Sequence, residues 1–378
     1  MKFVLAPDKY KGSLSGEAFC EAVAGGLKRV FPEAEILKKP LADGGDGTLA
    51  VMQHYLAAET IKTHVHDPLF REITSGYLFS KEKGIAFIEM SEASGYKLLL
   101  ESERNCMQTT TLGTGDFILD ALERGATEII LGIGGSATND AGIGMAHALG
   151  FRFLDETGEA LSPIGENLSK IKTIDRKQVH PKLKQLTVKV ACDVKNPLYG
   201  EQGAAHIYGP QKGATPEEVL LLDKGLRHFA QIVQEEFKLE LQQIPGAGAA
   251  GGLGAGAIVF LNATLTSGID LVMELADFEN ALQDADWVIT GEGQFDEQTL
   301  SGKTIAGVLK VAKERNIPVA ALCGSVDINL DALEKTELDY VTAVLNKVGS
   351  LETAKKDAFK NLELAAYNFA KLLKTKVI

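Results

Sequence analysis

Positive charge is in short supply in this chain of 378 residues. Lys and Arg number 39 against 51 Asp and Glu, a net charge of −12. That balance argues against a nucleic-acid partner, which requires a basic face. Cysteine is equally sparse: Cys20, Cys106, Cys192 and Cys323 lie far apart and match neither a zinc spacing nor a small disulfide framework. Reduced thiols in a cytoplasmic protein are the default reading. Long apolar runs are missing too. After Lys2 the first such run is Phe3 to Ala6, too short for a signal-peptide core. The uncharged tract Gly246 to Leu261 has glycine at six of its first eleven positions and falls short of the ~20 apolar residues of a membrane span. It reads as a glycine-rich loop leading into a buried helix, and no membrane partner is expected. No internal repeat, low-complexity tract or heptad array is present, and the length suits two domains, three at most.

Glycine is plentiful, and its 39 copies cluster where apolar runs end. There it lets backbone approach a ligand closely. The densest example is Asp286 to Lys303. Trp287, Val288 and Ile289 stop at Thr290-Gly291, as a buried parallel strand stops at the carboxyl edge of its sheet. A loop with Glu292, Asp296 and Glu297 among Gly291, Gly293 and Gly302 follows, and Ile305, Val308, Leu309 and Ala312 then keep the spacing of one helical face. Open α/β sheets bind ligands just beyond strand carboxyl ends. The loop therefore suggests a phosphate or metal–phosphate site, with one or both of Glu292 and Asp296 as candidate metal ligands and Gly291, Gly293 and Lys303 near phosphate. Solvated acids on a tight turn are the plainer alternative. Gly302-Lys303-Thr304 imitates the end of a P-loop, but Glu297 stands at the first glycine position, so this is not a Walker A motif.

The same arrangement recurs along the chain. A strand from Lys2 to Ala6 runs into Pro7-Asp8-Lys9-Tyr10-Lys11-Gly12-Ser13, with Ser13 expected to cap a helix whose inner face carries Phe19, Ala22, Val23, Leu27 and Val30. Lys11 and Ser13 at a helix start make an anion site; lysines on a solvated loop are the alternative. A strand near Ile36 to Leu41 leads into Ala42-Asp43-Gly44-Gly45-Asp46-Gly47-Thr48 and a helix through Leu56. Asp43 and Asp46 there suit phosphate or metal, or one of them caps the helix. Val188 to Ala191 delivers Asp193, with Asn196 beside it, as a base-and-ligand pair or as an Asx turn before Pro197. Thr215, Pro216 and Glu218 give the best-signalled helix start, a capping box with proline at the first turn.

Texture divides the chain. Runs at Lys62–Val65, Ile73–Phe79 and Ile85–Met90 succeed one another without helices, which suggests antiparallel pairs. The first sixty residues and the last third alternate strand and helix, with strand signals at Pro318–Leu322 and Tyr340–Leu345 and a closing helix from Leu351 to Leu373. These two parts are expected to share one parallel sheet. The expected division is 1–62 with 280–378 for that domain and 63–279 for an inserted α/β domain.

One motif argues for different chemistry. Gly132, Gly134 and Ala137 satisfy G-x-G-x-x-[GA] after a strand and before a helix, and Asp155 lies near the offset of a ribose-binding acid. A second match at Gly246 to Gly251 has no clear strand before it. An NAD-dependent dehydrogenase of a small hydroxy acid is therefore an alternative. Against it, the first match sits mid-chain and continues into Ser136, Asn139 and Asp140, polar groups a dinucleotide fingerprint does not require.

Taken together the motifs resemble the bacterial type I glycerate kinases. The resemblance rests on A-P-D-K-Y-K-G-S-L-S (6–15), L-A-D-G-G-D-G-T (41–48), G-I-G-G-S-A-T-N-D-A-G-I-G-M (132–145), A-C-D-V-K-N-P-L-Y-G (191–200), G-P-Q-K-G-A (209–214), G-A-G-A-A-G-G-L-G (246–254) and I-T-G-E-G-Q-F-D-E-Q-T-L-S-G-K (289–303). Seven motifs in family order span nearly the whole chain. Departures such as Lys9-Tyr10 for Ser-Phe and Gln294-Phe295 for Arg-Leu remove no carboxylate or glycine, and make Lys9 a poor candidate for an obligatory role. The resemblance implies ATP-dependent phosphorylation of D-glycerate to 2-phosphoglycerate with Mg²⁺. It also implies a Rossmann- or flavodoxin-like domain from both chain ends with a mixed α/β domain inserted. Phosphoryl transfer then gives the residues work. Lys11 and Lys212 are the candidate cations, and Asp193 is the preferred base, with Asp140 and Asp43 competing. Gly44, Gly45, Gly134, Gly135, Ser136, Asn139 and Asn196 are expected around substrate and phosphates. A catalytically inactive small-anion binding protein on the same scaffold is a third reading. Regiochemistry and oligomeric state, a homodimer included, stay open.

Overall fold

A computed structural model describes residues 1–44, 47–296, 299 and 304–375. The chain forms two compact units, Met1–Tyr55 with Gly268–Ile378 and Leu56–Ser267. These limits differ from the expected ones near 62 and 280. The strand Glu59–His66 pairs along its length with Glu72–Ser80 and so belongs to the second unit. The helix Gly268–Leu275 packs on the helix Thr304–Glu314 of the first.

The first unit is built on a five-stranded sheet ordered Tyr340–Ala343, Val319–Cys323, Trp287–Thr290, Lys2–Leu5, Glu35–Lys38. All of its pairings are parallel. Phe3, Val4 and Leu5 are wholly buried, as is every residue of Val319–Cys323, as expected of strands covered on both faces. Numbered along this unit, the order is 2-1-3-4-5, the flavodoxin-like doubly wound arrangement. Its switch point lies between Lys2–Leu5 and Trp287–Thr290, in register at Leu5 and Ile289.

The helix Gly16–Lys28 packs against Ala358–Thr375. A Cβ on Gly26 would meet the Glu363 carbonyl at 2.4 Å and Ala366 Cβ at 2.8 Å, so only glycine permits that approach. Two expectations fail here. Ser15, not Ser13, caps the first helix, its hydroxyl accepting from the Ala18 amide. Residues 10–14 first close a tight turn, with the Tyr10 amide donating to the Leu14 carbonyl and Gly12 at φ +70°. The closing helix is in fact two, Leu351–Lys356 and Ala358–Thr375, parted at Asp357. The break shifts the phase, so Phe359 faces outward while Asn361, Leu362 and Ala365 turn to the core. No glycine or proline marks it.

The second unit holds a six-stranded mixed sheet ordered Thr264–Thr266, Thr187–Ala191, Glu128–Gly132, Ile85–Glu89, Glu72–Ser80, Glu59–His66. The last three form the expected antiparallel run, and the first four are parallel. The helix Pro216–Phe237 starts on the anticipated capping box. Phe260, on the buried helix Ala249–Leu261, meets Phe153 and Phe237 edge-on and Phe151 and Phe229 at a tilt. No helix among the described residues is long and apolar enough to cross a membrane.

Candidate active site

In the first unit the loops at the switch point surround a cavity of about 520 Å³, within the range of small-molecule sites. Asp8, Lys9, Lys11 and Ser13 reach it from beyond Lys2–Leu5, Asp43 from beyond Glu35–Lys38, and Glu292, Gly293 and Asp296 from beyond Trp287–Thr290. With Lys355, four carboxylates and three lysines thus share one cavity. Gly293 admits the backbone of Tyr10 and Lys11, since its Cβ would lie 3.3 Å from the Lys11 nitrogen. Gly291 does not line the cavity; a Cβ there would strike the Leu322 carbonyl at 1.9 Å. It serves packing. Ser13 donates its hydroxyl to the Lys355 carbonyl. Gly45, Asp46 and Lys303 lie outside the described residues, and Gly44 is exposed beside Asp43 at φ +91°.

Asp8 is the residue that sequence reasoning passed over. It is half-buried, and its carboxylate accepts from the Thr304 hydroxyl at 2.8 Å and the Lys9 amide at 2.6 Å. Burial pushes its pKa up to about 6 despite those donors, with Asp43 adding to the rise. Its signal was available, because it is the first acid after a strand end, inside a motif already singled out.

Magnesium is compatible with this end of the cavity. Among the described residues no three His, Cys, Asp or Glu side chains gather as a cage. A nucleotide-bound Mg²⁺ needs only one or two carboxylates beside phosphates and water, and Glu292 and Asp296 both line the cavity.

In the second unit the corresponding strand ends carry a buried polar cluster. Gly132 and Ala191 are register partners, so the loops after Glu128–Gly132 and Thr187–Ala191 start side by side. Asp140 is wholly buried. Its carboxylate accepts from the Thr111 amide and hydroxyl, both at 2.8 Å, and from the Gly142 and Gly144 amides at 3.1 and 3.2 Å. Burial raises its pKa and those donors oppose the rise. Lys212 is 4 % exposed, and its ammonium donates to Ser136 Oγ at 2.6 Å and the Thr138 carbonyl at 2.7 Å. Burial lowers its pKa to about 8. Asn139 is wholly buried, and neither end of its carboxamide has a hydrogen-bond partner among the described residues. Thr109 and Thr111 brace the same loop, with Thr109 donating to the Ala137 carbonyl. The three consecutive threonines 109–111 were a signal not used.

Gly134 is open, with no neighbouring atom within 4 Å of where a Cβ would stand, and Gly135 takes φ +73°. Asp193 is exposed on the loop after Thr187–Ala191. Asn196 is occupied at both ends, accepting from Tyr208 Oη at 2.7 Å and donating to the Gln202 carbonyl at 2.9 Å. The dinucleotide pattern does not become a fingerprint. After Ala137 the chain runs on without helix until Ile143, and the helix Ile143–Ala148 is six residues long. A fingerprint needs the helix to open on its glycines. The second match enters a left-handed stretch at Ala250, Gly251 and Gly252.

Comparison with known proteins decides the family. The model of the glycerate kinase family matches residues 3–374. The chain belongs to the glycerate kinase family. It is 45 % identical to a glycerate kinase of Halalkalibacterium halodurans over 97 % of both chains. To the glycerate 2-kinase of Escherichia coli K12 it is 41 % identical over 99 % of this chain and 98 % of that one. A crystallised Salmonella typhimurium LT2 protein assigned as glycerate kinase 2 superposes with a TM-score of 0.88 at 41 % identity, covering 100 % of this chain and 99 % of that one. The mixed α/β fold is therefore that of a glycerate kinase, and the chain is a phosphotransferase.

Proposed function

We propose that this chain phosphorylates D-glycerate at its 2-hydroxyl, with ATP as phosphoryl donor and Mg²⁺ as cofactor. Family membership across nearly the whole chain carries the reading. The charged cavity at the switch point of the parallel sheet supports it, because phosphoryl transfer is catalysed by positioning and charge stabilisation. The dehydrogenase alternative lacks support from both the relatives and the local geometry after Ala137.

In the first unit, the triphosphate occupies the end of the cavity lined by Lys11, Ser13 and Gly293. Lys11 is a compact exposed cation able to meet the transferring phosphoryl group. Glu292 and Asp296 would hold the Mg²⁺, and Asp43 and Asp8 line the same cavity. The metal would supply neutralisation of phosphate charge. In the second unit, the Lys212 ammonium is held by Ser136 Oγ and the Thr138 carbonyl and steadies their loop, and Asp193 is the base. In the reaction the glycerate 2-hydroxyl oxygen bonds to the γ-phosphorus, the bond to the β–γ bridging oxygen breaks to release ADP, and the hydroxyl proton goes to a general base, the role proposed for Asp193. Asp140, with four donors already on its carboxylate, holds the Thr111 and Gly142–Gly144 backbone in place. It is a positioning residue in this scheme, and Ser136, Asn139, Gly134 and Gly135 present the loop it steadies.

A coupled ADP-release assay with D-glycerate, run across a Mg²⁺ titration and followed by ³¹P and ¹³C NMR of the product, tests the reading. Turnover giving 2-phosphoglycerate is expected. ADP release without glycerate dependence, or NAD(H) turnover instead, overturns it.

A further inference from the structure

Beyond its charged end, the first-unit cavity changes character. Moving from the switch point toward the edge strand Tyr340–Ala343, its wall becomes mainly aliphatic, with Val344, Leu345, Leu351, Ala354 and Ala358 beside Lys355 and Asn361. Leu351 is 72 % exposed and Leu345 49 %, so aliphatic surface stands open to water on the rim of a pocket whose other end is ionic. Such surface is costly unless a ligand covers it. A nucleotide has the matching build, a multiply charged tail and a flat, largely apolar head.

Asn361 supplies a second observation. It is only 9 % exposed, on the inward face of the helix Ala358–Thr375, between Ala358 and Leu362. Asparagine is a poor helix former and poor core filler. Its Oδ1 accepts from Asn346 Nδ2 at 3.3 Å, which orients the carboxamide, and its own NH₂ group remains as a donor on a residue that lines the cavity.

We propose that Val344, Leu345, Leu351, Ala354 and Ala358 enclose the adenine of the phosphoryl donor, with Asn361 as the residue that determines base specificity. The proposal rests on the ATP reading above and adds where the base lies and what reads it. The Asn361 NH₂ meets a ring nitrogen acceptor of adenine. Guanine carries an N–H at the corresponding position of its pairing edge, and two donors then face each other. The base lies over the edge strand and the phosphates reach the switch point, so one ligand spans both chemistries.

The test measures KM for ATP and GTP together with calorimetric binding of inorganic tripolyphosphate, which has a tail but no base. Ala354→Phe, on a half-buried position of a short surface helix, fills the slot. It is expected to raise the ATP KM about tenfold while tripolyphosphate affinity stays within about twofold. Asn361→Leu is expected to cut the preference for ATP over GTP by about tenfold, the scale of one buried donor. Asn361→Asp keeps the shape and replaces the donor, and is expected to weaken ATP at least as much. Thermal melts of the three variants within a few degrees of wild type exclude misfolding, and tripolyphosphate binding reports the cavity directly. If ATP and GTP constants stay unchanged in all three, or if tripolyphosphate weakens in parallel with ATP, the base lies elsewhere and the proposal is overturned. Wild-type protein without turnover on any nucleoside triphosphate overturns the kinase reading, and this inference with it.

Discussion

At the carboxyl ends of the parallel sheet, Lys11, Asp43, Glu292 and Asp296 face an open cavity. At the carboxyl ends of the mixed sheet, Asp140 and Lys212 are enclosed, and their polar atoms are bonded to Thr111, Gly142, Gly144, Ser136 and Thr138. Both regions drew attention for the same reason, acids and a lysine among glycines after an apolar run. Only the first keeps its charged groups directed at a ligand-sized space. In the second, most of that chemistry is spent fixing a loop, while Asp193 lies exposed on the loop after Thr187–Ala191. Residue type after a strand end identifies a site region. Burial decides which of its members touch a ligand.

Substitutions can break this division. The largest effect is expected at Asp193. Asp193→Asn keeps the shape and removes the basicity, so kcat should fall on the order of 10²–10⁴-fold with nucleotide affinity nearly unchanged. Steady-state kinetics alongside nucleotide-binding calorimetry measure both. A variant that retains most of its turnover, or loses nucleotide affinity instead, removes Asp193 as base.

Asp140→Ala should act through folding. It leaves the Thr111, Gly142 and Gly144 amides without their acceptor in a wholly buried setting, at a cost of about 3–5 kcal/mol in a urea unfolding curve. Unchanged stability with lost turnover would make Asp140 a reacting group and erase the contrast between the two regions.

Lys11→Met should do the reverse. Lys11 is exposed, so the melting temperature should hold while kcat/KM falls by about 30-fold, equivalent to roughly 2 kcal/mol of transition-state stabilisation. A change below about threefold would leave it a solvated loop lysine.

The subtlest test concerns Lys212. Burial lowers its folded pKa to about 8, below the roughly 10.4 of an unfolded lysine. Between those values the unfolded chain binds the extra proton, so stability rises with pH. The burden of the enclosed charge is fully present below pH 8 and lifts above it. Relative to Lys212→Met, wild type should gain about 1 kcal/mol between pH 8 and 9. A flat difference would mean that the ammonium is not desolvated.

How far the sequence could be read follows the same physics. The core strands were legible because runs such as Phe3–Leu5 and Val188–Ala191 signal burial on their own, and the capping box at Thr215 because it is local. The two-part closing helix was not, since nothing at Asp357 announces a break and the consequence, Asn361 turned inward beside a cavity, depends on tertiary packing. Asp140 looked available for proton transfer because its four donors come partly from Thr111, 29 positions away. Asp8 stands at an informative position, the first acid after a strand end, but its burial and its bond to Thr304, 296 positions away, depend on tertiary packing.

The interior position of the first strand also has a consequence for synthesis. Lys2–Leu5 pairs with Glu35–Lys38 on one side and with Trp287–Thr290 on the other. The second partner emerges from the ribosome only after the whole of Leu56–Ser267 has been made. At about 5–20 residues per second that is a delay of roughly 15 to 60 s. Over that interval the contiguous middle unit has all its strands available, while one edge of the first strand waits unpaired. Nascent chains stalled between residues 267 and 287 therefore carry an apolar Phe-Val-Leu edge awaiting its neighbour, and chaperone dependence should be concentrated in that window.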